Sequence, residues 1–255
     1  MKIFQMVSLS YGAVIILLYV LGQNNFEFLK LLSSITLPMT SGFVIILSFL
    51  VFKTFGVSWR DTFGKICLSV TVAAFFLFLG DSLKALSRFG LNIPTILPLS
   101  LVDILYVGEY VMFLFALFWI LFLFEKAITW KNIVATSVVS IAFATVISYI
   151  LVLPILAFQR DPLDLILRIV YPFFVLFLFA ISFLVFLTFF GGELGVAWCF
   201  ITVGILFHTL GDLSYVYANW NNLYFAGHPL EILWLTSYIL LIIGLEIYRR
   251  QFKLG

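Results

Sequence analysis

The segment Leu99–Phe124, with the sequence LSLVDILYVGEYVMFLFALFWILFLF, decides the fold class of this chain. Its only charged residues are Asp103 and Glu109. A helix needs roughly 20 apolar residues to cross a bilayer core about 30 Å thick. Only helices and closed barrels satisfy the backbone in lipid, and long continuous apolar runs are typical of helices. The segment therefore predicts a membrane-spanning helix.

Seven other segments are similarly apolar, and the composition of the whole chain agrees with them. Of the 255 residues, 64% are hydrophobic and 10% are charged, whereas about a quarter of the residues of a soluble domain are charged. We predict an all-α integral membrane protein with eight transmembrane helices. The spans are expected at about 7–22, 30–52, 66–87, 99–124, 132–157, 167–190, 196–218 and 229–248.

The charges exclude some functions and indicate an orientation. A net charge of +2 is too small to indicate a nucleic-acid partner. Nine Lys and Arg residues fall on one side of the predicted membrane and five on the other, which predicts that both termini are cytoplasmic and that the protein lies in the cell membrane. Cys67 and Cys199 lie in apolar runs, so we expect neither a disulfide framework nor a zinc site.

The chain contains an internal repeat. Residues 49–55, FLVFKTF, recur at 183–189 as FLVFLTF, and Pro38 matches Pro172 at the same offset. Leu79-Gly80-Asp81 matches Leu210-Gly211-Asp212, and the acidic–aromatic series of the fourth span recurs in the eighth. Phe- and Leu-rich helices also match by chance, but four ordered matches favour a duplication. We therefore predict two tandem parallel four-helix repeats, 1–126 and 127–255, related by an axis along the membrane normal.

Ionisable side chains inside a span are costly, so each is a candidate for function. Helical spacing places several of them on shared stripes with aromatic residues: one stripe on the fourth span, its repeat on the eighth, and a third on the seventh. The candidate ligand-binding residues are Asp81, Asp103, Tyr106, Glu109, Tyr110, His208, Asp212, Tyr215, Glu231, Trp234 and Tyr238. We expect them to gather towards the external face. The repeats differ here, since Glu109 matches Ser237 and His208 matches Leu77, which favours one asymmetric site.

Structural roles are open for the same residues. Asp81 and Asp212 are also typical of residues that hold helices together next to glycine. Asp103 and Glu231 are also typical partners of a helix dipole, and Glu109 is also a candidate for a buried pair with Lys84 or Arg88. His208 beside Asp212 is compatible with a metal or a proton relay, but the chain has only two histidines, so we expect no metal and no cofactor.

The pattern of Gly80-Asp81, a loop with Pro98, then Ser100, Asp103, Tyr106 and Tyr110 resembles the eight-helix membrane sensor modules of bacterial signalling proteins. In that family the modules precede diguanylate cyclase or histidine kinase domains. The second copy, from Gly211-Asp212 to Tyr238, is similar but has Glu231 and Trp234 where the first has Asp and Tyr. Residues 249–255 are too short for an output domain. The resemblance therefore implies a cytoplasmic partner protein, a chain that continues, or reuse of the fold.

Three functions fit these features of the sequence. The first is a sensory or ligand-binding module that takes a small apolar or amphipathic molecule from the outer face, within membrane lipids. The second is a small-molecule transporter, in which the repeats rock around a central site. The third is a lipid-modifying enzyme that uses carboxylates as acid and base. No compact catalytic motif is present, so an enzyme is the least expected of the three.

Overall fold

The computed structural model describes residues 2–54, 60–91, 95–96, 99–154, 162–191 and 195–251. Within these ranges, eight helices are long and apolar enough to cross a membrane, and all eight predicted spans are confirmed as helices. Their bounds are α1 Lys2–Leu21, α2 Phe26–Thr54, α3 Thr62–Arg88, α4 Leu101–Leu123, α5 Trp130–Ile147, α6 Pro162–Phe189, α7 Gly195–Trp220 and α8 Glu231–Gln251. The last residues of the predicted fifth span, 155–157, lie outside the described ranges, as does Pro98.

Short elements complete the connections between the helices. A two-residue antiparallel pair, Thr95–Ile96 with Leu99–Ser100, precedes α4, and a 3₁₀ turn follows it at Glu125–Ala127. A π-helical turn, Ser148–Val152, continues α5. Side chains cap helix starts in the usual way: Asp61 accepts from the Gly64 backbone and Thr129 accepts from the Asn132 backbone at 3.2 Å.

Six of the helices form a closed ring. In order around it, α2 packs on α3, α3 on α4, α4 on α6, α6 on α7, α7 on α8, and α8 again on α2. The order of contacts from α2 to α4 is therefore the same as the order from α6 to α8. Pro38 lies inside α2 and Pro172 lies inside α6, and both helices continue through the proline.

The two remaining helices lie outside the ring, and they do so in different ways. α1 packs chiefly on α8, whereas α5 packs chiefly on α6. In the most apolar stretch of each helix, only 17% of the residues of α1 and 11% of those of α5 are buried, against 78% of those of α8. The outer faces of α1 and α5 are therefore available to lipid, and α8 is the helix most enclosed by protein.

Two glycines allow an aromatic ring of one ring helix to lie close against its neighbour. A side chain at Gly80 of α3 would meet the Tyr106 ring of α4 at 2.8 Å, and one at Gly211 of α7 would meet the Trp234 ring of α8 at 2.8 Å. These are the glycines that precede Asp81 and Asp212. The absence of a side chain lets each aromatic ring lie close against the neighbouring helix, within reach of the following carboxylate.

We expect Gly211→Ala to destabilise the protein by about 1–3 kcal/mol, because the added methyl group overpacks the contact with Trp234. The matched control is Gly42→Ala, where the new methyl group would meet the Phe78 ring at an ordinary 3.4 Å. Unfolding in mixed micelles measures both variants. Equal stability of the two would contradict a close helix contact at Gly211.

Candidate functional site

The candidate site begins at the contact between α4 and α7, in a group that we call the central cluster: Glu109 and Tyr110 of α4, Tyr171 of α6, and His208 and Asp212 of α7. His208 Nε2 lies 3.1 Å from Glu109 Oε1 and 3.3 Å from Asp212 Oδ2. The Tyr110 hydroxyl donates to Asp212 Oδ2 at 2.7 Å and lies 2.6 Å from the Tyr171 hydroxyl. The cluster thus joins three helices through polar atoms and through ring contacts of Tyr110 with Tyr171 and His208.

Four of the five residues of the central cluster are buried, and Tyr171 is half-buried. Glu109 and Tyr110 are 0% exposed, His208 is 4% exposed and Asp212 is 5% exposed. His208 is close to the middle of α7, with roughly 18–20 Å of helix on either side at about 1.5 Å per residue. The polar groups therefore reach deeper along the helices than the external position expected from the sequence.

Glu109 carries the least satisfied polar atoms of the cluster. Among the described residues, neither of its oxygens and neither ring nitrogen of His208 has a hydrogen-bond partner of acceptable geometry. The contact at 3.1 Å is therefore within ion-pair distance but is not an aligned hydrogen bond. A buried carboxylate without donors is costly, so this pair has a strong requirement for a shared proton or for a small rearrangement.

Asp212 is held from two directions. Trp234 Nε1 of α8 donates to Asp212 Oδ1 at 2.9 Å, while Tyr110 holds Oδ2. Asp81 has a parallel but weaker arrangement: the Tyr106 hydroxyl donates to Asp81 Oδ1 at 3.0 Å, and Oδ2 has no donor among the described residues. Tyr238 of α8 interacts electrostatically with Asp81 and contacts the His208 ring at 6.0 Å between centroids. The two aspartates thus connect all the ring helices that carry candidate residues.

Glu231 belongs to a separate cluster at the end of the bundle where α3 ends and α8 begins, which we call the loop end. Arg88 Nη2 lies 2.6 Å from Glu231 Oε1, and another guanidinium nitrogen of Arg88 donates to Ser33. Tyr224 donates to the same carboxylate at 2.5 Å, and Tyr19 of α1 donates to its other oxygen at 3.2 Å. Arg88 therefore pairs with Glu231 and not with Glu109, and Glu231 ties α1, α2, α3 and α8 together.

The loop between α7 and α8 covers the loop end. Gly227 adopts a positive φ of 86°, and a side chain there would collide with the Leu29 backbone. Burial and the neighbouring Glu231 carboxylate raise the pKa of Tyr224, so its hydroxyl stays protonated and remains a donor. Burial lowers the pKa of His228, whose Nδ1 accepts from the Leu230 backbone at 3.1 Å. These contacts fix the loop against α2.

Lys84 lies between the two clusters. Its Nζ is 4.3 Å from the centroid of Trp234, 4.6 Å from that of Tyr215 and 5.6 Å from that of Tyr224. All three distances are in the range of cation–π interactions. The sequence left Lys84 open as a partner of Glu109, but the structure places the ammonium over these three rings. We call these three rings the aromatic cage. Helical spacing placed one of them, Tyr215, on a stripe with His208 and Asp212.

Asp103 is the predicted site residue that lies apart from the buried groups. It is exposed, and its Oδ2 accepts from the Ser100 backbone at 2.9 Å while the Ser100 hydroxyl accepts from the Asp103 backbone. This is a capping box. Asp103 therefore stabilises the first turn of α4, in the role that the sequence left open as the alternative.

Sequence reasoning did not single out Tyr19, Tyr171 or Tyr224 as site residues. Tyr171 directly precedes Pro172, which the repeat had marked, and that neighbour was the one available signal. Tyr19 and Tyr224 lie in an outer helix and in a loop, where nothing in the sequence distinguishes them from interface tyrosines. Within the part of the chain that the structure describes, no group of three His, Cys, Asp or Glu side chains is arranged to hold a metal ion.

We expect Asp212→Asn to lower the free energy of unfolding by about 1–3 kcal/mol, because the amide group cannot accept from both Trp234 and Tyr110. The matched control is Asp103→Asn, at an exposed residue of the capping box whose replacement costs about 0.5 kcal/mol or less, since the Asn side-chain oxygen still accepts from the Ser100 backbone. Unfolding in mixed micelles gives both values. A cost at Asp103 equal to that at Asp212 would be inconsistent with a buried, doubly bonded Asp212 and an exposed Asp103.

Comparison with known proteins identifies no relative of this chain. No protein-family model, no curated protein and no solved structure matches this chain. The function must therefore be argued from the fold and from the geometry of the clusters.

Proposed function

We propose that this protein is a membrane-embedded sensory or ligand-binding module, in which a small amphipathic molecule entering from the outer face changes the packing of two repeated halves, 1–126 and 127–255. The observation that carries the proposal is the buried contact of Glu109 with His208 at 3.1 Å. It joins the fourth helix of the first half to the third helix of the second. Its polar atoms lack hydrogen-bond partners among the described residues, so the contact is poised to rearrange.

The balance of charge in the ring supports this proposal. Five carboxylates lie buried on the ring helices: Glu246, which binds Arg249 and Arg250 at the far end of α8, and four around the two clusters, on Asp81, Glu109, Asp212 and Glu231. Arg88 neutralises Glu231 at 2.6 Å, which leaves three acids for Lys84 and His208. In a medium of low dielectric constant this excess of negative charge is unfavourable. A bound proton or a cationic ligand relieves it, and the ring therefore favours ligands that bring positive charge.

Contacts that cross between the halves support a coupling between them. Tyr110 of the first half binds Asp212 of the second at 2.7 Å, and Tyr238 of the second half faces Asp81 of the first. The correspondence of Tyr110 with Tyr238, and of Asp212 with Asp81, follows from the proposed repeat. A change of charge at one aspartate therefore acts on the tyrosine of the other half.

Helix α8 is the proposed route from the site towards the cytoplasm. It contacts α1, α2 and α7 and carries Glu231, Trp234 and Tyr238. At its far end the buried Glu246 carboxylate binds Arg249 at 2.8 Å and Arg250 at 2.5 Å. With both termini cytoplasmic, a tilt of α8 reaches a partner protein that reads the signal at this end.

Protons serve as the probe in the test of this switch. We expect the distance between spin labels at Phe122→Cys and Val196→Cys, on exposed positions of α4 and α7, to shift by about 1–2 Å between about pH 8 and about pH 5. The native cysteines, Cys67 and Cys199, are first replaced by alanine. Glu109→Gln should abolish the shift, because it removes the exchangeable proton while keeping the shape of the side chain.

The control for this experiment is Asp103→Asn, which changes an exposed acid on the same helix and should leave the shift intact. A distance that does not depend on pH in the parent protein refutes the proposed switch. A shift of unchanged size in Glu109→Gln shows that another group is responsible and refutes the role given to Glu109.

A transporter is the second candidate, and the position of His208 favours it. This residue lies near the middle of α7, which is the depth expected of a substrate site in a transporter built from repeats. The two candidates differ in proteoliposomes. A transporter moves protons together with its substrate across the bilayer, which a pH dye enclosed in the vesicles records, whereas a sensory module changes shape without net movement.

A further inference from the structure

We propose that the aromatic cage around Lys84 is a binding site for the ammonium group of an amine or quaternary amine, and that Lys84 occupies this site in the absence of the ligand. The inference rests on the ligand-binding function proposed above and names the chemistry of the ligand. The cage consists of Tyr215 of α7, Tyr224 of the α7–α8 loop and Trp234 of α8.

The geometry of the cage is that of a cation site. Three rings surround one Nζ atom at 4.3–5.6 Å, and Tyr215 also packs edge-to-face on Tyr224 at 4.6 Å between centroids. The faces of aromatic rings attract an ammonium ion electrostatically, and groups of such rings recognise quaternary ammonium ligands. A primary ammonium on a flexible four-carbon side chain is a suitable substitute for such a ligand.

The cage is more exposed than most of the central cluster. Lys84, Tyr215 and Tyr224 are half-buried, whereas Trp234 is buried. One wall, Tyr224, belongs to a loop and not to a helix. A small cation therefore reaches the rings at the loop end without separation of the ring helices.

A second position for the Lys84 ammonium is present on its own helix. Asp81 lies three residues before Lys84 on α3, which places the two side chains on the same face. Asp81 Oδ2 is buried and has no hydrogen bond of acceptable geometry among the described residues, although Ser41 and Tyr238 interact with the carboxylate. Lys84 interacts electrostatically with Glu231 most strongly, and also with Asp81 and Asp212. An ammonium ion that takes the cage therefore displaces Lys84 to an acceptor that is otherwise unsatisfied.

This exchange links the loop end to the middle of the ring. When Lys84 moves to Asp81, its charge comes closer to the Tyr106 and Tyr238 hydroxyl groups and to the excess negative charge around Glu109. The incoming cation adds one positive charge to a group of acids that outnumbers its bases. Binding at the cage is thereby coupled to the contact between α4 and α7.

Choline and its uncharged isostere dimethylbutanol provide the direct test, by calorimetry on the full chain in maltoside micelles. Lys84→Met empties the cage and keeps the apolar part of the side chain. We expect this variant to bind choline at least about tenfold more tightly than the parent protein and at least about tenfold more tightly than it binds dimethylbutanol. Equal binding of choline by variant and parent overturns the proposal, as does equal binding of the two probes.

Substitutions of the rings locate the site. In the Lys84→Met background, Tyr215→Leu should weaken choline binding at least about tenfold, whereas Tyr215→Phe, which keeps the ring, should not. Tyr217→Leu is the matched control, since Tyr217 is an exposed tyrosine of the same helix. An equal loss in Tyr217→Leu, or no loss in Tyr215→Leu, overturns the assignment of the cage. Circular dichroism and size-exclusion chromatography confirm that each variant is folded before binding is measured.

Asp81→Asn tests the displacement of Lys84. If Asp81 had a purely structural role, the effect of this substitution would not depend on the residue at position 84. It should weaken choline binding in the parent protein, where Lys84 needs the carboxylate, and leave it unchanged in Lys84→Met. An equal effect in both backgrounds overturns the exchange. If choline binds as expected but the distance between α4 and α7 shifts neither with choline nor with pH, the cage stands and the proposed sensory function fails.

The ammonium group has two sources, a lipid headgroup and a free amine. A short-chain phosphatidylcholine added in place of choline distinguishes them. Tighter binding of the lipid than of choline, lost again in Tyr215→Leu, assigns the cage to a headgroup, and tighter binding of choline assigns it to a free amine. Failure of both probes to bind Lys84→Met overturns the proposal.

Discussion

The cost of placing carboxylates in a medium that solvates them poorly governs the interior of this protein. Every buried acid of the ring needs a donor, a cation or a proton. Glu231 has an arginine and two tyrosines, and Asp212 has a tyrosine and a tryptophan. Asp81 is only half satisfied and Glu109 has no donor among the described residues. The acids of the two clusters therefore form a series, from fully hydrogen-bonded near the loop end to Glu109, which has only an unaligned contact with His208 where α4 meets α7.

This series distinguishes buried groups that stabilise the fold from buried groups that respond to a change of charge. The Arg88–Glu231 pair and the capping box at Asp103 hold helices and loops in place. Removal of one partner of a buried ion pair is strongly destabilising, so the first of these is expected to stay closed. The unpaired end of the series is different, because a change in the number of protons or in the position of Lys84 alters its energy directly. The same property that makes Glu109 costly makes it responsive.

Hydropathy was sufficient to predict the eight helices, because a span of this length is a property of composition alone. The pairing of Asp81 with Tyr106 and of Asp212 with Trp234 agreed with helical spacing and with the proposed repeat. The partner of Arg88 could not be predicted, since Glu231 lies in the last helix and its proximity depends on the closed ring. The role of Asp103 was equally undetermined, because the same residue at a helix start serves as a cap or as a ligand.

Closure of the ring also orders the biosynthesis of the molecule. Helix α1 is held by Tyr19, whose partner Glu231 is 212 residues away in the chain, and α2 needs α8 as its neighbour. The contacts of both early helices with α8 therefore form only after α8 has been translated. Several Ser and Thr side chains of α2 bond to its own backbone, as Thr40 does to Thr36 at 2.6 Å. Such internal bonds satisfy these polar side chains within α2, without a neighbouring helix.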